Sequence, residues 1–444
     1  MFASRADSRR RSPRIVLVAG VALAALGLSQ AGAALIGDRD ASSRAATAAA
    51  AVSPPTSLQA LERQVLERPD DWQAWAELGS EYVTEARVAS DPTNYPKAEA
   101  ALRRSLALNA GPDNWEAVAG QGALAAGRHD FANALRFAEQ AQRVKPNSGF
   151  VAGILVDSLT ELGRYPEAAV AAQAMVDLKP NMSSYARASY QRELRGDVPG
   201  AIEAMVLARQ AAGSAADQAF AEFYLGELEW NRGAPDAAEA HFRTVLRLDP
   251  AAASAIAGLG KVQAARGDVA GAIEHYRDAV GLFPDPELLK ELGDLHAATG
   301  DGPSADAAYA DSERQNERQA ANGVYVNLER ALASADRGVD LDRGLAAAQA
   351  EWDLRQSVHV ADALAWQLFA NGRPAEALAY ADHALSIGTR NASFHFHRAE
   401  IHRALGNRAA ARTDYEQAFA ANPHFSPLFQ QRAKDALAEL RSAA

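Results

Sequence analysis

The feature that most narrows what this chain can become is a glycine followed five residues later by an alanine. It recurs at Gly163/Ala168, Gly196/Ala201, Gly233/Ala238, Gly267/Ala272, Gly300/Ala305, Gly372/Ala377 and Gly406/Ala411. Four residues beyond each alanine stands a residue of the same helical face, and often a proline follows some eight residues later. With the alanine as register mark, ten units fall at Ala98, Ala134, Ala168, Ala201, Ala238, Ala272, Ala305, Gly344, Ala377 and Ala411. Their intervals are 36, 34, 33, 37, 34, 33, 39, 33 and 34 residues. A period of this length is that of stacked helical hairpins. Two amphipathic helices of about a dozen residues each cannot bury both apolar faces alone, so every hairpin needs a neighbour.

Such an array absorbs most of the 444 residues, a length that would otherwise suit about three ordinary domains. Alanine and leucine, strong helix formers, dominate, and aromatics make up 7%. The expected fold is all-α, a solenoid of ten helix–turn–helix units. Alanines let the helices approach, leucine and aromatic positions fill the layer between them, glycine makes the turn, and proline stops the second helix. The absence of cysteine excludes disulfides, thiolate metal ligation and a cysteine nucleophile. A net charge of −11 argues against general nucleic-acid binding, which needs a positive surface.

The best-formed unit runs Ile256-Ala257-Gly258-Leu259-Gly260, then Gly267, Ala272, Tyr276, Ala279 and Pro284. Trp75, Leu78, Gly79 and Tyr82 open the first unit. Ala238, Phe242, Val245 and Pro250 close the fifth, and Ala411, Tyr415, Ala418 and Pro423 close the last. These positions resemble the tetratricopeptide repeat, Trp-x2-Leu-Gly-x2-Tyr followed by Ala-x3-Phe-x2-Ala-x4-Pro. The resemblance implies a right-handed superhelix with a concave binding groove. The stretch from Tyr185 to Asp197 also resembles alanine-rich repeat proteins of high-GC bacteria.

Some units depart from the pattern. The first carries an insertion from Asp91 to Pro96, and the second reads as having two extra residues near His129-Asp130. The eighth has Gly344 for alanine and Gln356 for proline. The widest interval holds the polar run Ser312 to Gln319, read either as a longer helix or as a hinge near 312–326. The array is expected over 70–425. A capping helix, the second helix of an incomplete repeat carrying Leu58, Leu61, Val65 and Leu66, is expected at 57–69. A second is expected at 426–440, with Arg432, Lys434 and Glu439 facing solvent.

Ahead of the array, Arg5, Arg9, Arg10, Arg11 and Arg14 precede an apolar run from Ile15 to Leu28, then Ser29-Gln30-Ala31-Gly32-Ala33-Ala34. Residues 1–36 read as a secretory signal cleaved after Ala33 or as an uncleaved signal anchor. Either keeps the arginine-rich end inside and exports the rest. Residues 37–56, rich in alanine and serine and closed by Pro54-Pro55, read as a spacer. The first fourteen residues carry +4 of the net charge, leaving −15 on the remainder.

No catalytic constellation is visible. Gly260-Lys261 is not a P-loop, and no G-x-S-x-G elbow or EF-hand loop occurs. His397-Arg398-Ala399-Glu400-Ile401-His402 misses metalloprotease spacing, and the repeat register places His395 and His402 at packing positions. No cofactor or metal is expected. The resemblance implies that positions 2, 5, 9 and 12 of each first helix line the groove. These include Phe150, Asp157, Tyr190, Glu193, Phe223, Glu227, Trp230, Lys290, Asp294, Glu329, Asp336, His359, Asp362, Trp366, Phe369, Phe396, Glu400 and Arg403. Acids outnumber fixed bases and aromatics recur, which suits a protein or peptide partner with a basic or amphipathic segment. Position 9 is never asparagine, which disfavours the carboxylate clamp of chaperone-binding members. The expected function is a non-enzymatic scaffold outside the bacterial membrane. The alternatives are an assembly or secretion factor holding an enzyme partner, and an enzyme with an unrecognised site.

Overall fold

The computed structural model describes residues 57–442; the leader expected over 1–36 and the linker expected over 37–56 lie outside them. Among the described residues there are 22 helices and no strand. Helix α1 is Ser57–Glu67. Ten hairpins follow, numbered as units 1 to 10. Unit 1 is α2 (Trp72–Val88) with α3 (Asn94–Leu108), and unit 2 is α4 (Trp115–Gly127) with α5 (Phe131–Val144). Unit 3 is α6 (Gly149–Glu161) with α7 (Tyr165–Leu178), and unit 4 is α8 (Met182–Glu193) with α9 (Val198–Gln210). Unit 5 pairs α10 (Ala215–Asn231) and α11 (Pro235–Leu248); unit 6 pairs α12 (Ala253–Ala265) and α13 (Val269–Leu282). Unit 7 pairs α14 (Pro286–Ala298) and α15 (Gly302–Ala321); unit 8 pairs α16 (Asn327–Arg337) and α17 (Leu341–Leu354). Unit 9 is α18 (Val358–Ala370) with α19 (Pro374–Ala384), unit 10 is α20 (Ala392–Ala404) with α21 (Arg408–Ala421), and α22 (Gln430–Ser442) closes the chain. No helix among the described residues is long and apolar enough to cross a membrane.

The register alanines explain the stacking. Ala98, Ala134, Ala168, Ala201, Ala238, Ala272, Ala377 and Ala411 are completely buried, each where two helices cross. Phe242 shows how the layer between is filled. Its ring lies where a Cβ on Gly226 of the same unit, or on Gly258 of the next, would stand 2.6 and 2.8 Å away. The small residues of the first helices are sockets for the large residue of the second. A fully buried ring of this size contributes about 1.5–3 kcal/mol.

The same logic accounts for Gly344 in unit 8. A Cβ there would sit 2.2 Å from the Gln367 side-chain nitrogen, and Gln367 is fully buried while donating to the Ala331 carbonyl at 2.6 Å.

After each turn an aspartate often caps the second helix. Asp197, Asp268 and Asp301 accept from backbone N–H groups three residues on, at 3.0 to 3.2 Å. Asp130 does the same for Asn133. Unit 2 therefore has no insertion near His129-Asp130, contrary to expectation: His129 occupies the turn position itself, with φ +63°. Its extra length lies in the loop 109–114, between α3 and α4. In the widest interval, residues 312–321 belong to the 20-residue helix α15, and Val324 and Val326 pack into the core of units 1 and 2.

The superhelix closes on itself. Tyr325 N donates to Arg128 O at 3.0 Å, and His129 Nδ1 lies 2.8 Å from Tyr325 O. Val358 N donates to Tyr165 Oη at 2.7 Å, Thr389 Oγ1 to Leu194 O at 2.7 Å, and Asn422 Nδ2 to Trp230 O at 3.0 Å. The turns of units 2, 3, 4 and 5 thus rest on the loops that follow units 7, 8, 9 and 10. Arg355 adds a fully internal ion pair, binding Glu351 of its own unit and Glu161 of unit 3.

Candidate functional site

The first helices face the axis of this closed superhelix. Those of units 5 to 10 (α10, α12, α14, α16, α18 and α20) line a cavity of 510 Å³, to which His424 to Pro427, Phe429 and Gln430 also contribute. A second cavity of 150 Å³ shares Trp230, Asn231, His359, Asn391, Ser393 and Phe425 with it.

Of the residues expected on a concave surface, Trp230, Asp294 and Asp362 line the larger cavity, together with Lys290, Glu329, Asp336 and His359. Tyr190 and Glu193 line the smaller. The rest are not brought to either cavity, and several of the expected aromatics are packed into the wall instead of facing the axis. Phe223, Trp366 and Phe396 are at most 2% exposed, while Phe150 and Phe369 are half-buried. Trp366 stacks on His397 at 4.2 Å and on Phe369 at 5.0 Å, and its indole N–H donates to Asp336 at 2.9 Å. Phe396 is covered by Phe425 and Phe429. These rings hold units 9 and 10 to the C-terminal segment.

The buried acids of the expected set are neutralised inside the wall. Asp157 accepts two hydrogen bonds from the Arg187 guanidinium, at 2.8 and 2.6 Å. Glu227 pairs with Lys261 at 3.1 Å. Glu400 gathers the Tyr415 hydroxyl, Arg432 of α22 and Arg403, so it anchors the C-terminal helix rather than facing a groove.

The cavity wall itself is acidic. Glu287, Glu291, Asp294, Glu329, Asp336 and Asp362 face two fixed bases, Lys261 and Lys290. Burial works against both ammonium groups, yet neighbouring carboxylates keep them charged. Asp294 and Asp336, at 2.9 and 3.0 Å, hold Lys290 well above the ordinary lysine range. Glu227 and Glu291 raise Lys261. Burial pushes the carboxyl of Glu329 up to about 7, and that of Glu193 likewise to about 7 although it accepts from Asn231 at 3.1 Å. Burial, aided by the Arg355 charge, drops His359 to about 3 and leaves its ring neutral.

Lys261, Glu287, Glu291 and His397 were not among the residues expected from the sequence. Continuing the same register puts Lys261 at position 9 of unit 6 and Glu287 at position 2 of unit 7. His397 lies buried against Asp362, at 2.9 Å. The partly buried His395 and His402 both face Asp414. Among the described residues no group of three or more His, Asp or Glu is arranged to hold a metal ion.

Comparison with known proteins follows the repeats. A family model described as Tetratricopeptide repeat matches residues 83–149, 223–287, 257–323 and 363–427, just over half of the chain. Units 3, 4 and 8 fall outside those ranges yet form the same hairpin. A tetratricopeptide repeat protein from Parabacteroides merdae is 16% identical over 59% of this chain and 98% of its own, with a TM-score of 0.35. The APC/C hetero-tetramer Cut9-Hcn1 gives 15% identity over 86% of this chain and 72% of its own, with a TM-score of 0.40. MamA gives 20% over 38% of this chain and 97% of its own, with a TM-score of 0.30. No curated protein matches the sequence.

Proposed function

The chain belongs to the tetratricopeptide-repeat family, and on that premise we propose that it is a non-enzymatic scaffold. It binds a basic or amphipathic segment of another protein with the inner face of its superhelix, outside the bacterial membrane. The observation that carries the binding reading is the wall of units 5 to 10, where six carboxyl groups meet two fixed bases beside Trp230 and Phe394. Acidic lining gives steering and register to a basic segment, and the rings give it apolar contact. The location rests on the arginine-rich, apolar leader of residues 1–36.

Immobilised full-length protein and its Trp230→Ala variant, each exposed to cross-linked envelope extract, test the binding reading. Trp230 is half-buried and lines both cavities. The variant is expected to lose its partner while keeping its helicity by circular dichroism; unchanged capture contradicts the reading. N-terminal sequencing of the protein from culture tests the location: Ala34 as first residue marks a cleaved, exported chain.

A further inference from the structure

Two groups in the larger cavity lack the partners that buried polar groups normally have. Glu329 has both carboxylate oxygens shut off from solvent without a hydrogen-bond partner among the described residues. His359, 7% exposed and lining both cavities, has Nδ1 unpartnered, with Nε2 only 3.5 Å from the Tyr190 hydroxyl. A third carboxyl, Glu287, lines the same space and has no ion pair among the described residues, whereas Asp294 and Asp336 share Lys290 and Asp362 holds His397. Beside these groups the wall is apolar and aromatic, with Leu328, Leu332 and Phe429. The volume lies in the usual range for small-molecule sites, about 300–1,000 Å³.

We propose that this cavity binds an organic cation, an alkylammonium or guanidinium group whose N–H donors are taken by Glu287 and Glu329 and whose hydrocarbon part lies on the apolar wall. The proposal rests on the inner face being a binding surface and gives that surface a ligand class. A metal ion is disfavoured by geometry, since no cluster of ligating side chains converges among the described residues. An organic cation instead needs separate carboxyl acceptors and an apolar flank, and both are present.

Carboxyls buried without a counter-charge take up protons. Burial moves Glu329 up to about 7; Glu351 and Asp285 act in the same direction and Arg355 against it. Glu287 rises to about 8 by burial, with Lys290 opposing and Glu291, Asp294 and Asp285 reinforcing. A bound cation favours the ionised carboxyls, so binding releases protons and tightens as pH rises from about 6 to 8.

Titration calorimetry on the full-length protein tests this with three probes: 1,5-diaminopentane, the peptide acetyl-Ala-Lys-Ala-amide, and 1,5-pentanediol as the uncharged control. Saturable 1:1 binding of an amine is expected, with no binding of the diol. Glu287→Gln and Glu329→Gln should each weaken it about tenfold or more. Glu416→Gln, which removes a half-buried carboxylate paired with Arg441 away from the cavity, should not. Using both cavity variants keeps the test open if one of them fails to fold. Diamine binding without peptide binding supports this site while removing the protein-segment reading. Peptide binding supports both. The proposal is overturned if neither amine binds, if the diol binds as tightly as the diamine, or if both cavity variants bind as the parent does. The envelope-capture experiment then judges the partner reading on its own.

Discussion

The turns inside units 2 to 5 and those inside units 6, 7, 9 and 10 have the same backbone shape and opposite surroundings. Gly163 and Gly267 sit at φ +76° and +87°, each ahead of a buried register alanine. A Cβ on Gly163 would stand 2.4 Å from the Gln356 carbonyl oxygen, and one on Gly196 equally close to that of Gly388. On Gly267, Gly300, Gly372 or Gly406 it would meet nothing within 4 Å. The local repeat thus dictates the turn, while the winding of the whole array decides what the turn touches. Stability in an open solenoid is a sum of units and nearest-neighbour interfaces. In this molecule a third term, contact across the superhelix, is present for one set of turns and absent for the other.

That contrast can be broken in steps of decreasing size. Arg355→Met should cost most. It strips the counter-charge from Glu161 and Glu351 inside the inter-turn contact, where breaking a buried pair is worth about 3–5 kcal/mol. Urea denaturation should show the loss, and a midpoint matching the parent would mean that the contact does not stabilise the array. Gly163→Ala against Gly267→Ala is the direct comparison. Both place alanine in the left-handed region at about 1–2 kcal/mol, but only the first also meets an immovable carbonyl. Gly163→Ala should therefore lose at least about 1 kcal/mol more; equal losses would erase the distinction between the two sets of turns. Thr389→Val is the smallest change. It keeps the shape and removes the hydrogen bond to Leu194 O, for about 1 kcal/mol. An exposed threonine that bonds only within its own helix, Thr413, serves as the reference, since Thr413→Val should be near neutral.

The sequence made the hairpins legible because their determinants are local. The buried alanine, the positive-φ turn and the large residue seated in a glycine socket all lie within one period or the next. His129 was misread for the same reason: without a glycine to mark it, the turn looked like an insertion, although Asp130 keeps the capping aspartate in its usual place. The site was legible only in direction. Register says that Trp366, Phe396 and Glu400 point inward, but not how deep they end. Depth comes from residues 424–432, which fold back over unit 10, and from remote units that no local period announces. Acids still outnumber fixed bases in the cavity lining, but depth sets their protonation as well, since burial lifts the Glu329 carboxyl to about 7. Of the expected aromatics, Phe223, Trp366 and Phe396 are taken into the core, while Trp230 and Tyr190 stay on the cavity walls.

The hydrogen bonds that close the superhelix join residues 192 to 197 positions apart. Where repeats touch only their neighbours, a unit can be excised and the ends rejoined without disturbing the rest. Removing unit 6 here would shift all four of those partnerships by about one period at once, and duplicating it would do the same in the other direction. The number of repeats between unit 2 and unit 10 is a closed count, so whole repeats can be gained or lost without shifting the closure only outside that span.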